Sequence, residues 1–224
     1  MDFIRLARLN QAGKQLKLSE KRLKLGILIS GRGSNMTAIL EAVKNKELSA
    51  ETAVVITDNP KAAGLASARE YGVVTAIVDP AAFSTKDLHE KAVLKILHNH
   101  SVELVVLAGY MRIISKEILQ AFPNRVVNIH PALLPSFKGL NAQKQALDYG
   151  VRFTGCTVHF VNEDLDGGPI ILQAVVPVDQ DDTVEDLSQR ILDQEHKLYT
   201  KAIQLLANGK LEIFKDKVRI NTVT

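Results

Sequence analysis

Asn128-Ile129-His130-Pro131, together with Asp166 in the later run Asp164-Leu165-Asp166-Gly167-Gly168-Pro169, offers an amide, an imidazole and a carboxyl in turn-forming sequence at strand ends. These three groups suffice for acyl transfer. The amide N–H can donate to an oxyanion as it forms, the imidazole can donate or move a proton, and a neighbouring carboxylate favours the imidazolium. Each residue alone has an ordinary reading, His130 as packing at a strand end and Asp166 as a turn residue. Their combination points to a site.

The elements that must position them follow from hydrophobic patterning. Leu25 to Ile29, Ala53 to Ile56, Val73 to Val78, Leu104 to Leu107 and Val126 to Ile129 are short apolar runs bounded by Gly, Pro, Asn or Asp, and predict buried strands. Between them, Asn35 to Lys46, Ala62 to Tyr71, Lys86 to His98 and Ser115 to Phe122 have the spacing of amphipathic helices. This alternation predicts an α/β fold with an open, mostly parallel twisted sheet, right-handed crossovers and helices on both faces. Beyond Pro131 the pattern changes to a loop over Leu133 to Asn141, a short helix Gln143 to Tyr149, two longer strands (Thr154 to Val161, Ile170 to Val178) and a helix from about Val184 to Leu206. A polar hairpin, Leu211 to Phe214 with Val218 to Asn221, follows.

In such sheets ligands bind beyond the carboxyl ends of the strands. The first end reads Ser30-Gly31-Arg32-Gly33-Ser34-Asn35. Its glycines allow close backbone approach, Ser34 can cap the helix, and the free amides suit a phosphate. A third glycine and a Lys-Ser/Thr pair are both missing, so it is neither the dinucleotide fingerprint nor a P-loop; a purely structural βα turn is the alternative. At the fourth end, Met111, Arg112, Ile113 and Ile114 suit a wall for a flat heterocycle or a cover for the core.

The 224 residues, 46% of them hydrophobic, fit one domain. The computed pI is 8.9, but the basic excess sits in residues 1–24, where seven Lys and Arg meet only Asp2 and Glu20. The slightly acidic remainder and the scarcity of aromatics argue against nucleic acid. No run is long enough to span a membrane and no secretory signal is evident. The basic extension is expected to be mobile or loosely docked. Cys156 is the single cysteine, expected to be a buried thiol in a cytoplasmic protein. His89, His98, His100 and His196 lack metal-ligand spacing and are expected at surfaces or helix ends; His159 is expected to be structural, with a part in the site left open.

Taken together, Ser30 to Asn35, Leu107 to Ile113, Asn128 to Gly139 and Asp164 to Gln173 resemble, in order, the phosphoribosylglycinamide formyltransferase family over residues 25 to about 210. The resemblance implies a Rossmann-like formyltransferase domain over 25–224, with a phosphate-binding half to about 125 and a folate and catalytic half from about 126. It implies formyl transfer from 10-formyltetrahydrofolate to the amine of glycinamide ribonucleotide in purine (IMP) synthesis, with small-molecule partners, no metal, and a monomer or homodimer. Asn128, His130 and Asp166 become the catalytic trio. Gly33, Ser34 and Asn35 take the phosphate, and Leu192, Asp193, Gln194 and Glu195 the ribonucleotide. Met111, Arg112, Ile113 and Ile114 face the pteridine, as do Asn128 and the loop Asn162, Glu163, Asp164, Leu165 and Asp166. Lys86 lies toward the folate's other end. The chain departs from the pattern at Ala132, where serine is common, at Asn141, where histidine often stands, and at Lys86, a frequent arginine. Formyltetrahydrofolate hydrolase shares the trio with water as acceptor, and a binding protein without catalysis is a further alternative that would need no such trio. Methionyl-tRNA formyltransferase would need a larger C-terminal domain.

Overall fold

The computed structural model describes residues 22–221. The expected mobile extension thus lies outside the described residues up to residue 21, and Leu23 and Lys24, assigned to it from sequence, already belong to the first strand.

The chain runs β1 (Leu23–Ile29), α1 (Ser34–Lys44), β2 (Ala50–Thr57), α2 (Gly64–Glu70), β3 (Thr75–Ile77), a 3-10 turn (Pro80–Ala82), α3 (Lys86–Asn99), β4 (Leu104–Leu107), α4 (Lys116–Ala121) and β5 (Val126–His130). It continues through α5 (Ala142–Tyr149), β6 (Phe153–Phe160), β7 (Ile170–Pro177), α6 (Val184–Ala207) and the hairpin β8 (Leu211–Phe214) and β9 (Lys217–Ile220). Seven strands form one sheet in the order β3-β2-β1-β4-β5-β6-β7. The first five are parallel, and β6 and β7 add antiparallel.

The expected strand over Val73 to Val78 is shorter than its apolar run. The Val73 N–H bonds back to Ala68 O in the helix exit, Val74 is more than half exposed, and pairing with β2 runs only from Thr75 to Ile77.

Central strands are apolar on both faces because helices cover both. One core joins Leu25, Ile27, Ile29, Val106 and Val127 to α1 and α6; the other joins Leu28, Val105 and Val126 to Val93 and Leu97 of α3 and Ile118 of α4. Tyr199 of α6 is fully buried, with its phenol 3.0 Å from both Leu107 O and Val127 O. Its single proton is shared between two carbonyls. Burial holds the phenol well above its ordinary pKa, so it stays a donor and fixes α6 across the sheet.

Chain order reverses between β1 and β4, which opens a crevice at their carboxyl ends. There the Ser30 N–H donates to Gly109 O at 3.0 Å and the Met111 N–H to Ser30 Oγ at 2.9 Å, so the two loops bordering the crevice are tied together. Among the described residues no helix is long and apolar enough to cross a membrane.

Candidate active site

Asn128 and His130 are two residues apart on β5 and therefore leave the same face of the sheet. Antiparallel register sets His159 of β6 opposite Asn128 and Thr157 opposite His130. Four polar side chains thus share one patch at the end of β5.

Asp166 reaches this patch from the β6–β7 connection. Its Oδ2 lies 3.4 Å from His130 Nδ1 and accepts the Gly139 N–H at 2.9 Å, while Oδ1 lies 3.8 Å from His159 Nε2. The side chains of His130 and Asp166 are only 6% and 10% exposed, so their interaction is poorly screened. Asp166 has φ +46°, a left-handed conformation that Asp tolerates better than most residues. Gly168 allows the approach. A Cβ there would stand 1.9 Å from Phe160 O, so only glycine lets the connection fold down onto the end of β6.

The His130 ring is engaged at both nitrogens. Nε2 lies 2.8 Å from Phe137 O; a carbonyl only accepts, so Nε2 carries a proton. The loop that supplies this carbonyl is anchored by Thr157, whose hydroxyl donates to Ala132 O and accepts the Leu134 N–H, and by Gln173, which donates to Leu134 O.

His159 was expected to be structural and is fixed inside the site. It is 2% exposed, and Nδ1 lies 2.8 Å from Phe160 O, so Nδ1 carries the proton. Burial, with smaller effects from His130 and Lys138, depresses its pKa against the opposing pull of Phe160 O and Asp166. The ring is therefore neutral, Nε2 is an acceptor, and the Asn128 amide donates to it at 3.3 Å. This fixes which end of the Asn128 side chain is nitrogen and leaves its second N–H for a ligand. The signal for His159 was the antiparallel register, which local reading of the chain does not provide.

The loop after β1 differs in detail from expectation. Gly33, at φ +72°, is the N-cap of α1, and no side chain caps the helix. Ser34 is the first helical residue, not the cap. The left-handed turn needs glycine, and the uncapped end keeps the first amides of α1 available for an anion. Asn35 is buried, and its Nδ2 donates to Glu195 Oε2 at 2.8 Å. That side chain ties the loop to α6, so Asn35 can serve a phosphate only through its backbone. Glu195 is buried while Asp193 is exposed and bonded to Gln189; the helical run Leu192 to Glu195 thus divides between solvent and crevice. Burial raises the Glu195 pKa against the hydrogen bond from Asn35. Burial first, and Glu195 second, push the Cys156 thiol up to about 12, so it is inert.

On the other side of the crevice Met111 and Ile113 are 67% and 70% exposed, whereas Ile114 is buried in the core beneath α3 and α4 and forms no wall. Arg112 is half-buried. Asn162, Glu163, Asp164 and Leu165 form an exposed turn, with Asn162 Oδ1 accepting the Asp164 N–H and Glu163 paired with Lys116. Lys86 opens α3 and pairs with Glu90 at 3.7 Å. His89 corrects the expectation of a surface histidine. It is 1% exposed and bonded through Nε2 to Val78 O, and its spacing to Val93 and Leu97 was the sequence sign of a buried face.

The model of the formyl transferase family matches residues 23–203. The chain belongs to the formyl transferase family. Among its members, the trifunctional purine biosynthetic protein adenosine-3 of Gallus gallus is 42% identical over 89% of this chain and 20% of that protein. The chain therefore spans about one fifth of the length of such relatives. The phosphoribosylglycinamide formyltransferase of Escherichia coli (strain K12) is 38% identical over 85% of this chain and 90% of its own length. The crystal structure of glycinamide ribonucleotide transformylase 1 from Symbiobacterium toebii superposes with a TM-score of 0.89 at 48% identity, covering 93% of this chain and 99% of that one. The family fold is thus the mostly parallel seven-stranded sheet described above, with the polar patch of β5 and β6 at its carboxyl-end crevice.

Proposed function

We propose that this formyl transferase family member moves a formyl group from 10-formyltetrahydrofolate to the amine of glycinamide ribonucleotide. The observation that carries the proposal is the convergence of Asn128, His130 and Asp166 on one buried patch beside an uncapped helix end. A phosphate fits the backbone amides following Gly33, and the ribonucleotide extends toward Glu195. The exposed Met111 and Ile113 suit a flat pterin, and the turn Asn162 to Asp166 closes the opposite side.

The donor supplies a formyl carbon open to attack by a neutral amine. Asn128, held by His159, presents its free N–H to the formyl oxygen as negative charge develops there. His130 Nε2–H exchanges Phe137 O for that same oxygen, or passes its proton to the departing nitrogen, and the Asp166 carboxylate stabilises the charged ring while it does so. The proton lost by the attacking amine leaves through Asp166 or a water beside it. The reaction requires no covalent link to the enzyme.

The small-molecule substrates and the absence of a membrane helix among the described residues agree with a cytoplasmic enzyme. We also assign residues 25–224 to a single catalytic domain. The test is to follow tetrahydrofolate formation spectroscopically with purified protein, with and without glycinamide ribonucleotide. Turnover that requires the ribonucleotide is expected; equal turnover in its absence would replace the proposal with a hydrolase.

A further inference from the structure

Lys86 and Glu90 are an ion pair that helix physics does not explain. Lys86 is the first residue of α3, after the N-cap Thr85, whose hydroxyl accepts the Leu88 N–H. A cation at that end opposes the helix dipole, and lysine placed before glutamate at this spacing is the weaker order. The Glu90 side chain is 7% exposed against 51% for Lys86, and Glu90 Oε2 is buried without a hydrogen-bond partner. Burying a carboxyl with one oxygen unsatisfied is costly. Stability therefore does not account for the arrangement.

Its place in the fold does. Glu90 lies one residue after His89, which is bonded to Val78 at the end of β3. Tyr110, from the segment that leads into the exposed Met111, packs on the same core as Val78 and Val93. Glu90 and Asp58 both act on the Tyr110 phenol, which burial holds above its ordinary pKa. The carboxyl of Glu90 thus sits between the apolar wall and Lys86, behind the path that a folate's tail would follow out of the crevice.

We infer that Glu90 is a specificity-determining residue for the carboxylate-bearing tail of the formyl donor, acting by holding the Lys86 ammonium at the N-terminus of α3. This rests on the proposed folate site. Tethered there, the ammonium and the helix end present positive charge at one point; without the tether, the dipole turns the lysine toward solvent.

The test uses the full chain and three formyl donors: 10-formyltetrahydropteroate, which lacks glutamate, and 10-formyltetrahydrofolate carrying one or three glutamates. Tail preference is the ratio of KM for the tailless donor to KM for each tailed one. Glu90→Gln is expected to lower that preference by about threefold or more, the size of one loosened hydrogen bond, with kcat within about twofold, and Glu90→Asp to fall between. In a Lys86→Met background Glu90→Gln is expected to change nothing further. A full preference in Glu90→Gln, or an equal loss with and without Lys86, would overturn the inference while leaving the folate site standing. If Lys86→Met itself leaves the preference intact, the Lys86 reading fails, and the inference with it. If Glu90→Gln does not fold, Glu90→Asp and the Lys86→Met pair decide.

Discussion

Replacing His159 by Phe keeps a ring in the β6 strand and removes both nitrogens, so the Asn128 amide loses the acceptor that orients it. The bond at stake is neutral and 3.3 Å long, beyond the usual N–H···O separation of about 2.9–3.0 Å. It belongs in the lower part of the roughly 0.5–1.5 kcal/mol range for a net hydrogen bond. About 0.5–1 kcal/mol lost from the transition state corresponds to roughly a two- to fivefold fall in kcat. Removing the oxyanion donor itself, as in Asn128→Ala, is worth on the order of 10² to 10³. His159→Gln, whose amide can offer an acceptor near the position of Nε2, should recover part of the loss. Steady-state kcat and KM for both substrates at pH 7.5 measure this, with KM nearly unchanged. Activity of His159→Phe equal to that of the unaltered enzyme would refute the orienting role. A fall as deep as that of Asn128→Ala would also refute it, since it would put His159 itself on the reacting atoms.

Burial depresses the His159 pKa, so below about pH 6.5 the unfolded chain takes up a proton that the folded site refuses. Stability should fall as pH drops through that window and until the folded ring titrates, with His196 adding in the same sense. Denaturant unfolding at pH 7.5 and 5.5 should show the slope, reduced in His159→Phe. Asn35→Ala removes the one donor to the buried Glu195, an expected loss of about 1–3 kcal/mol. Because burial raises the Glu195 pKa, the Asn35→Ala deficit in unfolding free energy should shrink as pH approaches the ordinary carboxyl range and the group protonates. Unchanged stability in Asn35→Ala would remove the link between the phosphate loop and α6. Gly168→Ala sets a methyl against Phe160 O and should cost about 1–3 kcal/mol. It should also lower kcat disproportionately by displacing Asp166, measured by melting and turnover on the same preparation.

The parallel half of the fold is legible in the chain because buried parallel strands are continuous apolar runs. Leu104 to Leu107 was found to the residue, and the helices after β3 and β4 nearly so. Where an apolar run exceeded its pairing partner, as at Val73 and Val74, composition misled. The cap of α1 was misread because a left-handed glycine does the work usually given to Ser. Within the site, the types and spacing of Asn128, His130 and Asp166 identified them. The Asn35–Glu195 bond spans 160 positions, and the His159–Asn128 contact depends on strand register. Neither is encoded locally, and both set what the legible residues are free to do.

The central claim is that the formyl group goes to an amine. A single-turnover reaction with excess enzyme, donor carrying a ¹³C-formyl group and glycinamide ribonucleotide, quenched and resolved by mass, tests it most directly. The account predicts that the label appears in the formamide of the ribonucleotide, one per tetrahydrofolate released, and that His130→Ala slows its appearance on the order of 10²-fold or more. Label recovered as free formate, or transfer at the normal rate in His130→Ala, would contradict it.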